Sequence, residues 1–412
     1  MTESAQAAGM SSQRLARIRP VLQSYVDKRG YPGFAVLVSR RGQVVLDEQV
    51  GWRDREAQVP LGDDTIFRVY SMTKPVIATA LMLLFEEGAF ALADPVASYI
   101  PAFGQTKVAT ADGGLADQPP LRPMQVRDLM THTSGLTYDF AEDFPAGEQY
   151  RAARLMHDAK RPLSEVVAEL AAIPLAFNPG SMWHYSLGLD VAAYLIEVLS
   201  GQPVGDFLRE RLFTPLGMTD TGFGVPEGER HRLAAMYGLP DLFGADTTFT
   251  VLTQAYLAGD TGRHDVDATY PADAPDVFQR GGIGLFSTAR DYLSFARMLL
   301  SGRTEDGTRL LGRKTLELMH TNHLPPELLP YVSGGIPNAG WGFGLGSRVN
   351  LDPGLTGLPG SAGDFGWSGA AKTYFWVDPR EELVGVLMTQ FMVGFEHPDA
   401  DFRTLVYQAI DD

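Results

Sequence analysis

Ser71-Met72-Thr73-Lys74-Pro75-Val76-Ile77-Ala78-Thr79-Ala80-Leu81-Met82-Leu83-Leu84-Phe85 is the stretch whose reading decides the fold. A hydroxyl and an amine stand at positions i and i+3, at the start of an apolar run. On a helix these positions share a face, so Lys74 Nζ can reach Ser71 Oγ. Serine is a weak nucleophile until a base activates it. Lysine serves as that base only when burial or a neighbouring cation lowers its pKa. The run that follows is apolar on nearly every side, the pattern of a helix sunk in a core. Pro75 fits within its first turn, where backbone N–H groups have no intrahelical partner.

The composition bounds what surrounds this stretch. A chain of 412 residues has room for two domains or for one with a large insertion. Hydrophobic residues at 45% and charged residues at 20% describe a globular protein. The net charge of 34 − 50 = −16 disfavours a nucleic-acid partner, which needs basic patches. With no cysteine, disulfides, thiol catalysis and cysteine-ligated zinc are excluded. Residues 1–19 show no apolar signal core, and no run approaches the length of a membrane span. A cytoplasmic protein is therefore expected, with no membrane partner.

Upstream of Ser71, residues 12–29 have the period of an amphipathic helix. Residues 34–39 and 44–50 are β-branched runs joined by a short polar turn, a hairpin pattern. Residues 65–69 form a third short apolar piece leading to Ser71. Downstream, residues 90–280 are helical in pattern with long loops. Helices are expected at 126–132, 162–172, 185–199 and 203–212. Residues 259–276, rich in Asp, Gly, Pro and Ala, form a solvated loop whose acidic spacing matches no calcium loop. Helices are predicted again at 287–300, with Thr288 as N-cap, and at 313–320. Strands are predicted at 372–377 and 383–391, and a closing helix at 399–410. Helix, strands, helical insertion, strands, helix is the order of one sheet built from both ends of the chain. The expected division is 1–88 with 285–412 as an α/β part and 89–284 as a helical insertion. A site belongs in the cleft between them.

Two further stretches join Ser71-x-x-Lys74. Trp183-His184-Tyr185-Ser186-Leu187-Gly188 follows a turn and opens a helix. Gly366-Trp367-Ser368-Gly369-Ala370 precedes the strand at 372–377. With these three in this order, the chain resembles the serine β-lactamases and penicillin-binding proteins. It is most similar to the class C β-lactamase-like branch and, within it, to family VIII carboxylesterases. The phrases Leu129-Met130-Thr131-His132-Thr133-Ser134-Gly135-Leu136, Pro215-Leu216-Gly217-Met218 and Gly340-Trp341-Gly342-Phe343-Gly344 extend the likeness over roughly residues 12–410.

The resemblance implies an α+β fold, an antiparallel sheet flanked by terminal helices with a large helical insertion. It implies Ser71, Lys74 and Tyr185 as catalytic residues and the N–H groups of Ser71 and Ala370 as an oxyanion hole. Trp367, Ser368, Gly369, Tyr138 and Leu187 would line the substrate pocket, and no metal or cofactor is implied. Two departures from the lactamase pattern bear on the substrate. Trp367 stands where lactamases have a lysine that can meet a substrate carboxylate, and Leu187 where they have an asparagine amide. Both point from anionic β-lactams to neutral, apolar acyl esters as the small-molecule partner. The proton chemistry has two workable forms: Tyr185 as a phenolate held by cationic Lys74, or neutral Lys74 as base with Tyr185 as acid. The oligomeric state is not legible.

Rival sites have weaker patterns. Gly366-Trp367-Ser368-Gly369-Ala370 is a degenerate G-x-S-x-G elbow, but that elbow needs a helix after its serine, and a strand pattern follows here. His132 and His184 lie near the motifs without the carboxylate that a triad requires. No zinc-protease, P-loop or dinucleotide motif occurs. A β-lactamase or D,D-peptidase, an acyltransferase, and a non-catalytic binding protein on the same fold are the alternatives.

Overall fold

The computed structural model describes residues 2–110, 114, 119–156 and 158–412. Its centre is an eight-stranded antiparallel sheet. The strands are β1 (Gly33–Arg40), β2 (Gln43–Asp54), β3 (Val59–Pro60), β4 (Trp341–Phe343), β5 (Arg348–Asn350), β6 (Phe365–Ser368), β7 (Tyr374–Asp378) and β8 (Leu383–Met388). They lie in the order β4-β5-β6-β7-β8-β1-β2-β3, so β1 and β8 pair the two ends of the chain. Residues 89–284 supply no strand to this sheet among the described residues; they carry mostly helices. The fold is α+β, as the residue patterns imply.

The central strands are buried along their whole length and mostly apolar because both faces of the sheet are covered. Along β1, Phe34, Val36 and Val38 face the terminal helices α1 (Ile18–Arg29) and α2 (Pro398–Tyr407), meeting Ile18, Leu22, Phe402 and Val406. Ala35 and Leu37 face the other way, into the core around the Ser71 helix. The same alternation sorts β7, with Tyr374 and Trp376 on one side and Phe375 and Val377 on the other. Gly385 of β8 sits opposite Trp376, and its missing side chain makes room for the indole: a Cβ there would lie 2.1 Å from the ring.

The helix Thr73–Glu86 is buried from Thr73 through Leu84, which explains why its sequence has no polar face. It packs against the helix Gly188–Ser200. Some local patterns are refined. Residues 12–29 form two helices, Ser12–Leu15 and Ile18–Arg29. The helix expected from residue 185 begins at Gly188, leaving Tyr185 on the preceding loop. Helix Val204–Leu208 continues as a π-turn over Arg209–Phe213. The helices Pro145–Ala152 and Phe249–Ala258 are additions; the latter is uncharged and mostly exposed, so no amphipathic period announces it. Within 259–276, Gly262–His264 pairs with Met236–Gly238, which pairs in turn with Phe391–Met392. No helix among the described residues is long and apolar enough to cross a membrane.

The C-terminal helix is fastened to the sheet by a buried ion pair. Arg403 Nη2 donates to Asp364 Oδ2 at 2.6 Å, with both side chains almost completely covered. Arg403 Nε also donates to Pro359 O at 2.8 Å, and Asn350 Nδ2 donates to Asp364 Oδ2 at 2.9 Å. Removing the guanidinium strands a carboxylate in the interior. Arg403→Met is expected to cost roughly 3–5 kcal/mol in urea unfolding, whereas pairing it with Asp364→Leu recovers most of the loss; an Arg403→Met protein as stable as wild type refutes the clamp.

Candidate active site

Ser71 lies at the mouth of the buried helix, delivered by a short strand. Phe67–Arg68 pairs with Phe286–Ser287, and Val69 N donates to Leu285 O at 3.0 Å. Tyr70 then takes φ +46°, in the left-handed region that non-glycine residues rarely occupy. Such a turn costs of order 1–3 kcal/mol and persists only where the surroundings impose it. Here the Tyr70 ring is wedged between Phe243 and Tyr270, at 5.8 and 4.8 Å. The helix start is held by Tyr292 Oη, which donates to Met72 O at 2.8 Å.

Lys74 is fully buried, and its Nζ has three oxygen neighbours. They are Ser71 Oγ at 3.0 Å, Tyr138 Oη at 2.9 Å and Gly282 O at 2.8 Å. As an ammonium, Nζ donates to all three. As a neutral amine it keeps two donations, including that to the carbonyl, and its lone pair accepts from the Ser71 hydroxyl. Burial pushes the lysine down to about 7, with the Asp190 carboxylate pulling weakly the other way. Asp190 is itself buried, and its Oδ1 accepts from Gly282 N at 3.1 Å. It thereby fixes Gly282, the residue whose carbonyl accepts from Lys74.

Tyr185 stands beside this group. Its hydroxyl hydrogen-bonds Ser71 and accepts from Trp367 Nε1 at 3.4 Å. Lys74 Nζ faces the Tyr185 ring, 4.5 Å from its centroid. Burial raises the phenol of Tyr185 despite the Ser71 and Trp367 hydrogen bonds, and burial raises Tyr138 as well. Both tyrosines are therefore neutral at physiological pH. The phenol bonded to Lys74 is that of Tyr138 rather than Tyr185, so the resting site is not a Tyr185 phenolate held by Lys74.

Ser71, Tyr138, Tyr185, Trp367, Ser368, Gly369 and Ala370 line one cavity of about 310 Å³. Gly369 is required by close approach: a Cβ would lie 2.4 Å from Val69 O. The backbone N–H groups of Ser71 and Ala370 donate to no acceptor among the described residues. Leu187 is not on the cavity wall. It stands at the N-terminal cap of the helix Gly188–Ser200 and is fully covered, its apolar side chain buried in the core. Ser368 ends strand β6 with no helix after it, so it is not an elbow serine. His132 is buried, with Nδ1 accepting from Ser186 N at 3.3 Å, and His184 Nε2 lies 2.7 Å from Thr137 Oγ1. Residues 259–276 do not line the cavity; Leu242, Phe243 and Phe249 do. Arg348 of β5 also lines the cavity.

A family model described as Beta-lactamase matches residues 18–408. The chain belongs to the β-lactamase family. Esterase EstB of Burkholderia gladioli is 32% identical, the match covering 91% of this chain and 90% of EstB. Protein Rv1367c of Mycobacterium tuberculosis is 36% identical over 87% of this chain and 85% of its own. Among solved structures, EstCE1, described as a hydrolase with promiscuous acyltransferase activity, aligns with a TM-score of 0.77 at 27% identity, covering 97% of this chain and 99% of its own. This β-lactamase-family chain is a serine hydrolase.

Sequence patterns did not single out Asp190, Gly282, Arg348 or the left-handed Tyr70. Asp190 alone left a trace, a carboxylate inside an apolar helix. The lowered Lys74 has a direct kinetic consequence. Labelling of Ser71 by a fluorophosphonate, followed by intact mass, rises with pH and levels off above about 7; a rate independent of pH over roughly pH 5 to 9 rules out neutral Lys74 as the activating base.

Proposed function

We propose that the chain is a serine carboxylesterase that hydrolyses short-to-medium acyl esters through an acyl-enzyme on Ser71. The observation that carries this reading is a buried amine, lowered to about 7, 3.0 Å from the serine hydroxyl in an aromatic-walled cleft. Neutral Lys74 takes the Ser71 proton as Oγ attacks the ester carbonyl. The resulting oxyanion is received by the N–H groups of Ser71 and Ala370, each donor being worth about 3 kcal/mol. Tyr185, kept protonated, gives its proton to the departing alkoxide and is reprotonated from the Lys74 ammonium. Water then enters, gives up a proton to the same pair, and releases the acid while Ser71 recovers its hydroxyl.

The esterase names of relatives support this reading. Trp367 in the lactamase lysine position also supports an ester over a β-lactam. A second reading, transfer of the acyl group to an alcohol in place of water, is supported by the description of EstCE1.

Purified wild type is expected to turn over p-nitrophenyl butyrate and to leave nitrocefin nearly untouched. Ser71→Ala abolishes the ester activity, and Tyr185→Phe lowers kcat at least about a hundredfold. Retained turnover in Ser71→Ala moves the nucleophile elsewhere, and faster nitrocefin than ester cleavage overturns the esterase reading. Added methanol or butanol in the assay, with ester product read by gas chromatography, measures the share of acyl transfer.

A further inference from the structure

The cavity holds one fixed charge that the reaction does not use. Arg348 lies on β5, opposite Gly366 in β6 and therefore one strand from the Trp367 motif. No carboxylate is among the described residues that line the cavity with it. Its guanidinium is set over Trp341, Cζ to centroid 4.4 Å, and flanked by Tyr374 at 5.6 Å. These rings hold the flat group by its faces, Tyr374 also accepts one hydrogen bond from it, and the remaining N–H donors are left for a ligand. Asp399 attracts it through space, and no ion pair among the described residues includes it. The neighbouring Asp364 is already engaged by Arg403. Although burial opposes the charge, Tyr374, Tyr331 and Asp399 hold the guanidinium in its charged form, so a cation faces the cavity with no carboxylate in ion-pair contact.

We propose that Arg348 is the receptor for a carboxylate on the substrate, so that the preferred ester carries an acid group in its acyl or alcohol part, away from the scissile carbonyl. The inference rests on the ester-hydrolase reading and narrows it. The chain has exchanged the third-motif lysine for Trp367 and carries a cation on the next strand instead. Trp367 and Phe140 then enclose the apolar stretch between carbonyl and acid. A guanidinium fork meets a carboxylate with two parallel hydrogen bonds.

The test compares mono-p-nitrophenyl glutarate, adipate and suberate with p-nitrophenyl pentanoate, hexanoate and octanoate. Wild type, Arg348→Lys and Arg348→Gln are assayed at low ionic strength. In wild type, kcat/KM for the best half-acid ester is expected to exceed that for its neutral counterpart roughly tenfold to a hundredfold, the range of a charged hydrogen bond. The gain lies mainly in KM. Arg348→Gln brings the ratio to near one, and Arg348→Lys keeps part of it. Equal rates on charged and neutral esters in wild type overturn the proposal, as does a ratio unchanged in Arg348→Gln. An equal loss on both esters in Arg348→Lys and Arg348→Gln assigns Arg348 a structural role and also overturns it. Absence of turnover on every ester instead refutes the esterase reading. Calorimetric binding of mono-p-nitrophenyl adipate to Ser71→Ala, with and without Arg348→Gln, then decides the Arg348 question alone: an Arg348-dependent affinity supports it and equal affinities refute it.

Discussion

Desolvation of one amine governs this site. Lys74 is fully buried, and its charged form is correspondingly disfavoured. A lysine in that state is an adequate base only if its three neighbours tolerate both protonation states. A serine hydroxyl, a phenol and a carbonyl do so, because two of them can donate or accept and the third needs only to accept. A carboxylate in direct contact would have trapped the proton. Asp190 instead acts one peptide away, through Gly282.

Much of the fold can be seen as the means of keeping that amine dry. The helix that carries it is buried along twelve successive residues and packs against the helix Gly188–Ser200. Its entry is forced through a left-handed tyrosine that neighbouring rings hold in place. Gly369 permits the strand turn of the third motif to lie directly on Val69 and Tyr70. The strain at Tyr70 and the absent side chain at Gly369 thus belong to one contact. It brings the Ser71 and Ala370 amides to the same cavity wall.

The walls set what can enter. Tyr138, Phe140, Tyr185, Phe243, Phe249 and Trp367 make the cavity aromatic. Trp367 also ties the third motif to the second through Tyr185. Against this background a single guanidinium stands out electrostatically, since low polarity around a charge strengthens its pull on an anion.

The three motifs and their order were legible in the sequence because a nucleophile and its partners must be particular residue types at particular spacings. The two-ended sheet was legible because its strands are short apolar runs lying on both sides of a helical stretch. Helix Phe249–Ala258 was not, since an uncharged and mostly exposed helix has no periodic signature. Leu187 was misjudged because family position says which residue follows a tyrosine, and packing decides which way that residue turns. By itself the sequence determined that Ser71 could be activated and by which kinds of group. Only the tertiary structure decided that Tyr138 bonds the lysine, that Tyr185 faces the serine, and that Arg348 shares their cavity. Those pairings join residues 64 and more positions apart, and distances of that kind arise from packing, which local residue patterns do not encode.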